Sequence, residues 1–208
     1  MTPEDTAACF TRADGSYLFA RWGRPIVPVV FGVDDRTLSV VKGAIEAVVT
    51  LAGHKMAETD PELGANLMFF FFRDWDELTE LSGLESIVPD LKGLCARLAA
   101  QGANQYRLFR FDAAGAIKAA FVFLRMDAAL EAVPAEDLAL AQAAQVILLW
   151  SDTAFVAQSP LARLQGTVVL RPEIAGVIRA AYDPVLPAQA TDAAHALRIF
   201  GRLNSHRA

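Results

Sequence analysis

Apolar and polar positions along this chain fall into stretches of different period. The longest is a helix-sized segment that is apolar on nearly every side. Pro134 to Asp152, PAEDLALAQAAQVILLWSD, carries only Gln142 and Gln145 as polar side chains between Asp137 and Ser151. A helix with so little polar surface has to be wrapped by protein, so the remaining elements are expected to pack around it. Upstream, Ile26 to Phe31 is β-branched and aromatic and reads as a strand covered on both faces. Pro28 cannot donate to a ladder, so this strand is expected to be bulged there or to turn its free side outward. Asp34 or Asp35 caps a helix whose Leu38, Val41, Ile45, Val48 and Ala52 step by three and four, and Gly53 closes it. Asn66 to Phe72 is a second buried strand, which makes the three elements a right-handed βαβ unit by expectation.

Asp74 to Leu81 and Pro89 to Ala100 read as packing helices, the second with Leu91, Leu94, Cys95 and Leu98 as its apolar stripe. Tyr106 to Phe111 and Ile117 to Arg125 flank Asp112-Ala113-Ala114-Gly115, a turn ending in Gly, and so predict an antiparallel hairpin. Ala157 to Gly166 is small and polar, and Thr167 to Leu170 is a short strand. Pro172 opens a helix running to Tyr182. Asp183 to Pro187 is extended, and Thr191 caps a last helix with Ala194, Leu197, Phe200 and Leu203 inward. Residues 1 to 20 form an arm or hairpin around Asp14-Gly15. The order predicts one domain over residues 1–208, of α+β class with α/β-like layers: a mixed sheet, one antiparallel hairpin, a central buried helix and C-terminal helices.

Composition sharpens this picture at two points. The hydrophobic share is 54% and the mean hydropathy +0.31, yet the longest unbroken apolar runs are Leu67 to Phe72 and Ala119 to Leu124. Those are far short of the ~20 residues that span a bilayer, so no transmembrane segment is expected. Net charge −5 argues against a nucleic-acid partner, which requires clustered Lys and Arg. Arg198, Arg202 and Arg207 read as a solvated helix face. Cys9 and Cys95 are either a single disulfide tying down the N-terminus or two buried thiols. The opening MTPEDTAACF lacks the regions of a secretion signal. The protein is therefore cytoplasmic or, if a leader has been removed, periplasmic or secreted.

Candidate chemistry is sparse. No G-x-S-x-G motif, phosphate loop or dinucleotide fingerprint occurs, and Ser151-Asp152 reads as a cap and turn. His54, His195 and His206 fall on a helix end, a terminal helix and a tail, a poor set for zinc. The paired acids Asp34/Asp35, Asp74/Asp76 and Glu136/Asp137 sit in first helical turns, where the helix dipole favours them.

RWGRPIVPVVFG at residues 21–32, Leu51-Ala52-Gly53-His54, Ala65 to Phe69, and Arg179 to Pro187 together resemble an uncharacterised bacterial family of zincin-like domains of unknown function, often secreted or lipoprotein-anchored. The resemblance implies a metallopeptidase-like topology in which the second strand of the hairpin edges a cleft above the central helix. In active zincins that helix carries H-E-x-x-H, two imidazoles holding zinc and a Glu acting as base. The resemblance places this motif on Ala144, Gln145, Val146, Ile147 and Leu148, so no metal or cofactor is expected. It implies a non-catalytic module whose edge strand, Ile117 to Leu124, takes a peptide or protein partner by strand addition. Gln145, Asp152 and Tyr182 are the candidate cleft residues, while Trp150 and Phe155 would plug a purely structural helix face. The alternative is a hydrolase with a displaced constellation of Asp152, Tyr182, Asp183 and His195.

Overall fold

Strands whose residues are apolar on both faces need cover on both faces, and that requirement sets the architecture. A computed structural model describes residues 1–205; His206 and Arg207 lie outside the described residues. In chain order the elements are α1 (Pro3–Ala8), β1 (Phe19–Ala20), β2 (Pro28–Phe31), α2 (Asp35–Leu51), β3 (Leu67–Phe72) and α3 (Trp75–Glu80). Then come α4 (Leu84–Ile87), α5 (Leu91–Ala100), β4 (Gln105–Phe111), β5 (Ile117–Arg125), α6 (Ala128–Glu131) and α7 (Ala135–Val146). The chain ends with β6 (Leu161–Leu164), β7 (Thr167–Leu170), α8 (Pro172–Ala181), β8 (Gln189–Ala190) and α9 (Ala194–Ser205). The fold is α+β.

The main sheet has the order β2-β3-β5-β4, with β2, β3 and β5 parallel and β4 antiparallel to β5. Alternation along β3 and β5 divides the core. Leu67, Phe69, Ala120, Val122 and Leu124 face a layer built from α2, α7, α8 and α9. Phe70, Phe72, Ala119, Phe121 and Phe123 face a second layer built from α3, α4 and α5. The run Leu67 to Phe72 is therefore apolar because both of its parities are buried.

Several expectations are corrected. The outer strand of the hairpin is β4, whereas β5 pairs with β3 on one side and β4 on the other, so Ile117 to Leu124 offers no edge. The expectation for Pro28 is met, since it begins β2 at the opposite border of the sheet, where its missing donor costs little. Asp34 rather than Asp35 caps α2, its Oδ1 accepting from Thr37 N at 2.7 Å. Gly32 turns β2 into that helix at φ +82°, and a Cβ there would sit 2.0 Å from Phe71 O, so only glycine fits. Asp192 rather than Thr191 accepts from Ala194 N at the start of α9, and Leu197 is exposed.

The N-terminal arm is partly a helix. Thr2 and Asp5 form a capping box on α1, and the hairpin around Asp14-Gly15 is reduced to one bridge, Thr11 with Tyr17. The stretch before Gly166 pairs as β6 with β7 around Gln165-Gly166, both at positive φ. Cys9 belongs to one core layer and Cys95 to the other, and both are free and buried, so the disulfide alternative is excluded. Among the described residues no helix is long and apolar enough to cross a membrane.

The central helix is shorter than its apolar run. Helix α7 stops at Val146 because its last carbonyls have other partners: Trp150 Nε1 donates to Ala144 O at 2.8 Å, Trp22 Nε1 to Val146 O at 2.8 Å, and Tyr182 Oη to Ile147 O at 2.8 Å. Leu149 N then donates to Ala20 O, carrying the chain alongside β1.

Candidate functional site

The open border of β4 forms one wall of a cleft of about 700 Å³. The hydrogen-bond phase of the hairpin explains why this wall is polar. Arg125 N donates to Asn104 O at 2.8 Å, while Ala120 N donates away from β4, to Asn66 O at 2.9 Å. Alternation from those two points turns the backbone N–H and C=O groups of Gln105, Arg107 and Phe109 outward, away from β5. The side chains of the same three residues fall on the α7 face, because Tyr106 and Leu108, the opposite parity, pack on the α3/α5 layer.

Gln145, Leu149, Trp150 and Phe155 face β4 across the cleft, with Arg12 and Asp152 at the rim. Trp150 stacks on Phe10 with ring centroids 5.5 Å apart and meets Phe155 edge-on at 5.1 Å. The two aromatics therefore form a firm wall and leave the cleft open. Asp152 is exposed, and its Oδ1 accepts from Ala13 N at 3.1 Å. Gln145 Nε2 donates to Ala141 O at 3.2 Å.

At the base of the cleft lies a polar cluster without a carboxylate. Arg107 Nη2 donates to Gln105 Oε1 at 3.1 Å and to Gln142 Oε1 at 2.6 Å, and Gln142 Nε2 donates to Gln105 Oε1 at 2.7 Å. Gln142 is only 1% exposed. Arg107 Nε is buried without a partner, and no acid pairs with this guanidinium among the described residues. Desolvation pushes Arg107 down to about 10, so it stays cationic at neutral pH.

Ala144 and Leu148, where the resemblance puts the zinc-binding imidazoles, are both 0% exposed and belong to the core side. Of the α7 residues only Gln145 lines the cleft. Among the described residues no three His, Cys, Asp or Glu are grouped so as to hold a metal ion.

Of the candidate residues, Gln145 and Asp152 share the cleft and Tyr182 does not. Tyr182 Oη accepts from Trp22 N at 3.3 Å and donates to Ile147 O, its ring lies 5.1 Å from that of His54, and burial raises its phenol pKa. His195 is buried on α9 with Nδ1 3.0 Å from Tyr17 Oη, and Asp183 pairs with Arg202 at 2.6 Å. The proposed hydrolase constellation is thus distributed over separate hydrogen-bond partners. His54 Nε2 lies 2.8 Å from Arg24 O and is held by the backbone.

Arg107 and Gln105 are the residues that sequence reasoning missed. Their signal was the pair of buried glutamines on an apolar helix, since buried amides require polar partners from a neighbouring element. No protein-family model, no curated protein and no solved structure matches the chain.

Proposed function

We propose that this chain is a non-catalytic, zincin-like domain that binds an extended peptide in the cleft between β4 and α7 by adding it as a further strand. The observation that carries the proposal is the outward backbone of Gln105, Arg107 and Phe109, forming the wall of an open cleft of about 700 Å³. Three donors and three acceptors at alternate residues match an extended chain, while Leu149, Trp150 and Phe155 offer apolar surface for its side chains. The zincin-like reading is supported by the order of the elements, in which a mixed sheet ends in one antiparallel border strand above a buried helix. The non-catalytic reading is supported by α7 itself, whose one cleft-lining residue is Gln145, with buried Gln142 behind Arg107, both amides that take no proton at neutral pH.

The test is amide-resolved NMR with a mixed pool of capped octapeptides, followed by mass analysis of the recovered peptides. Strand addition requires slowed exchange and shifted resonances at Gln105, Arg107 and Phe109, with the peptides recovered intact. Unchanged exchange at those three amides sinks the binding mode. Cleaved peptides sink the non-catalytic reading.

A further inference from the structure

The cleft holds a cation whose charge is unanswered. Arg107 is placed in the cleft by β4, and the two N–H groups of its Nη2 go to neutral amide oxygens. Its Nε is buried without a partner, and its Nη1 makes no side-chain hydrogen bond among the described residues and is left for a ligand or water. A guanidinium removed from water without a carboxylate loses hydration that two amides only partly replace, so an incoming carboxylate is favoured there over a neutral group. The rest of the cleft has the same bias. Arg12 and Arg107 stand against the single acid Asp152, in a chain of net charge −5.

Geometry restricts what brings the carboxylate. Arg107 is the third residue of the seven in β4, so a strand lying along this border passes it with chain on both sides. The residue directly opposite Arg107 points its side chain onto the same face, and so does the residue opposite Phe109, two positions along. The second of these meets the surface of Phe109, Leu149, Trp150 and Phe155. We infer that the cleft selects an extended peptide with an internal Glu or Asp against Arg107 and an apolar residue two positions away against this aromatic wall.

The inference rests on strand addition to β4, and the experiment separates the two. Capped octapeptide pools carry Glu, Gln or Lys at the fourth position and Phe or Ser at both the second and the sixth, one of which lies opposite Phe109 whichever way the strand runs, with mixed residues elsewhere, and are titrated while Trp fluorescence and the β4 amides are followed. Glu pools are expected to bind about tenfold more tightly than Gln pools, with Lys weakest, and Phe to be preferred over Ser. Arg107→Gln removes the cation. Gln142→Glu puts a carboxylate oxygen where the amide oxygen now accepts from Nη2, answering the charge from within; its second oxygen replaces the Nε2 that donates to Gln105 Oε1, so the Gln105 amide turns to donate instead, and the variant keeps the test valid if Arg107→Gln fails to fold. In both variants the ratio of Glu-pool to Gln-pool affinity is expected to fall to within about twofold, whatever the variant does to binding of the Gln pools themselves. If Glu and Gln pools bind equally and shift the β4 amides, the acidic preference is wrong and strand addition stands. A Glu preference that survives Gln142→Glu also overturns it. If no pool shifts those amides, strand addition fails and this inference with it.

Discussion

His195 shows what a histidine does in this molecule. Its ring is buried against Phe19 at 4.3 Å and beside Tyr17, and its Nε2 has no partner among the described residues. Desolvation, followed by the nearby Arg198, Arg202 and Arg21, pushes its pKa from 6.5 to about 4. Between those values the unfolded chain takes up a proton that the folded chain refuses. Its contribution to stability is therefore complete above pH 6.5 and is lost as pH falls toward about 4. The loss is on the order of 2 kcal/mol. Urea unfolding at pH 6.5 and pH 4 measures it, and His195→Gln is expected to flatten the difference. A smaller slope remains from His54, whose pKa burial also lowers, and near pH 4 from Asp34, Asp60, Glu62 and Asp127, whose hydrogen bonds and ion pairs hold them below the usual carboxylate range. An unchanged slope in the variant would show that His195 is not its source. A histidine held neutral down to about pH 4 in the folded state is poorly suited to acid–base work at neutral pH.

Helix α7 separates what was legible in the sequence from what was not. Its burial was legible, because an apolar run with two glutamines leaves no face for water. Its end was not, since the groups that stop it, Trp22 and Tyr182, come from distant parts of the chain. Tyr182→Phe tests that account. Without the hydroxyl, Trp22 N and Ile147 O lose a partner, and the expected cost is about 1–3 kcal/mol. Peptide affinity in the cleft is expected to stay unchanged, because Tyr182 does not line it. Urea unfolding and a peptide titration on the same variant give both numbers, and a loss of affinity without a loss of stability would return Tyr182 to the site. The hairpin was legible from its Asp112 to Gly115 turn, but its outer strand was assigned the wrong way round. The signal was present: Ala119 to Leu124 is apolar at both parities, as an interior strand must be, whereas Gln105 to Phe111 places Arg107 and Arg110 on opposite faces. The Arg107–Gln142–Gln105 cluster was beyond reach for another reason. It depends on the register of β4 over α7, which no local pattern specifies.

At the scale of the whole molecule, one sheet serves two cores, and this predicts how they come apart. Strands β3 and β5 supply alternate side chains to each layer, so removing either layer exposes a full face of the other's strands. Phe70, Phe121 and Phe123 would lose their cover if the α3/α5 layer detached, and Leu67, Phe69, Val122 and Leu124 in the opposite case. Each buried aromatic or aliphatic side chain is worth about 1.5–3 kcal/mol of transfer free energy, so opening one layer alone is costly. The two layers are expected to open together in one transition. The cysteines report on this independently, since Cys9 lies in the α7 layer and Cys95 in the α5 layer. Burial raises both thiols, Cys9 to about 11, so neither reacts readily in the folded state. Pulsed thiol labelling across a urea series, read by mass spectrometry of the two peptides, should give one midpoint for Cys9 and Cys95. A lower midpoint for Cys95 would mean that the α3/α5 layer detaches while the α7 layer persists. Strand β4 would then lose the Tyr106 and Leu108 packing that holds its border in place, and the cleft would be lost before the fold.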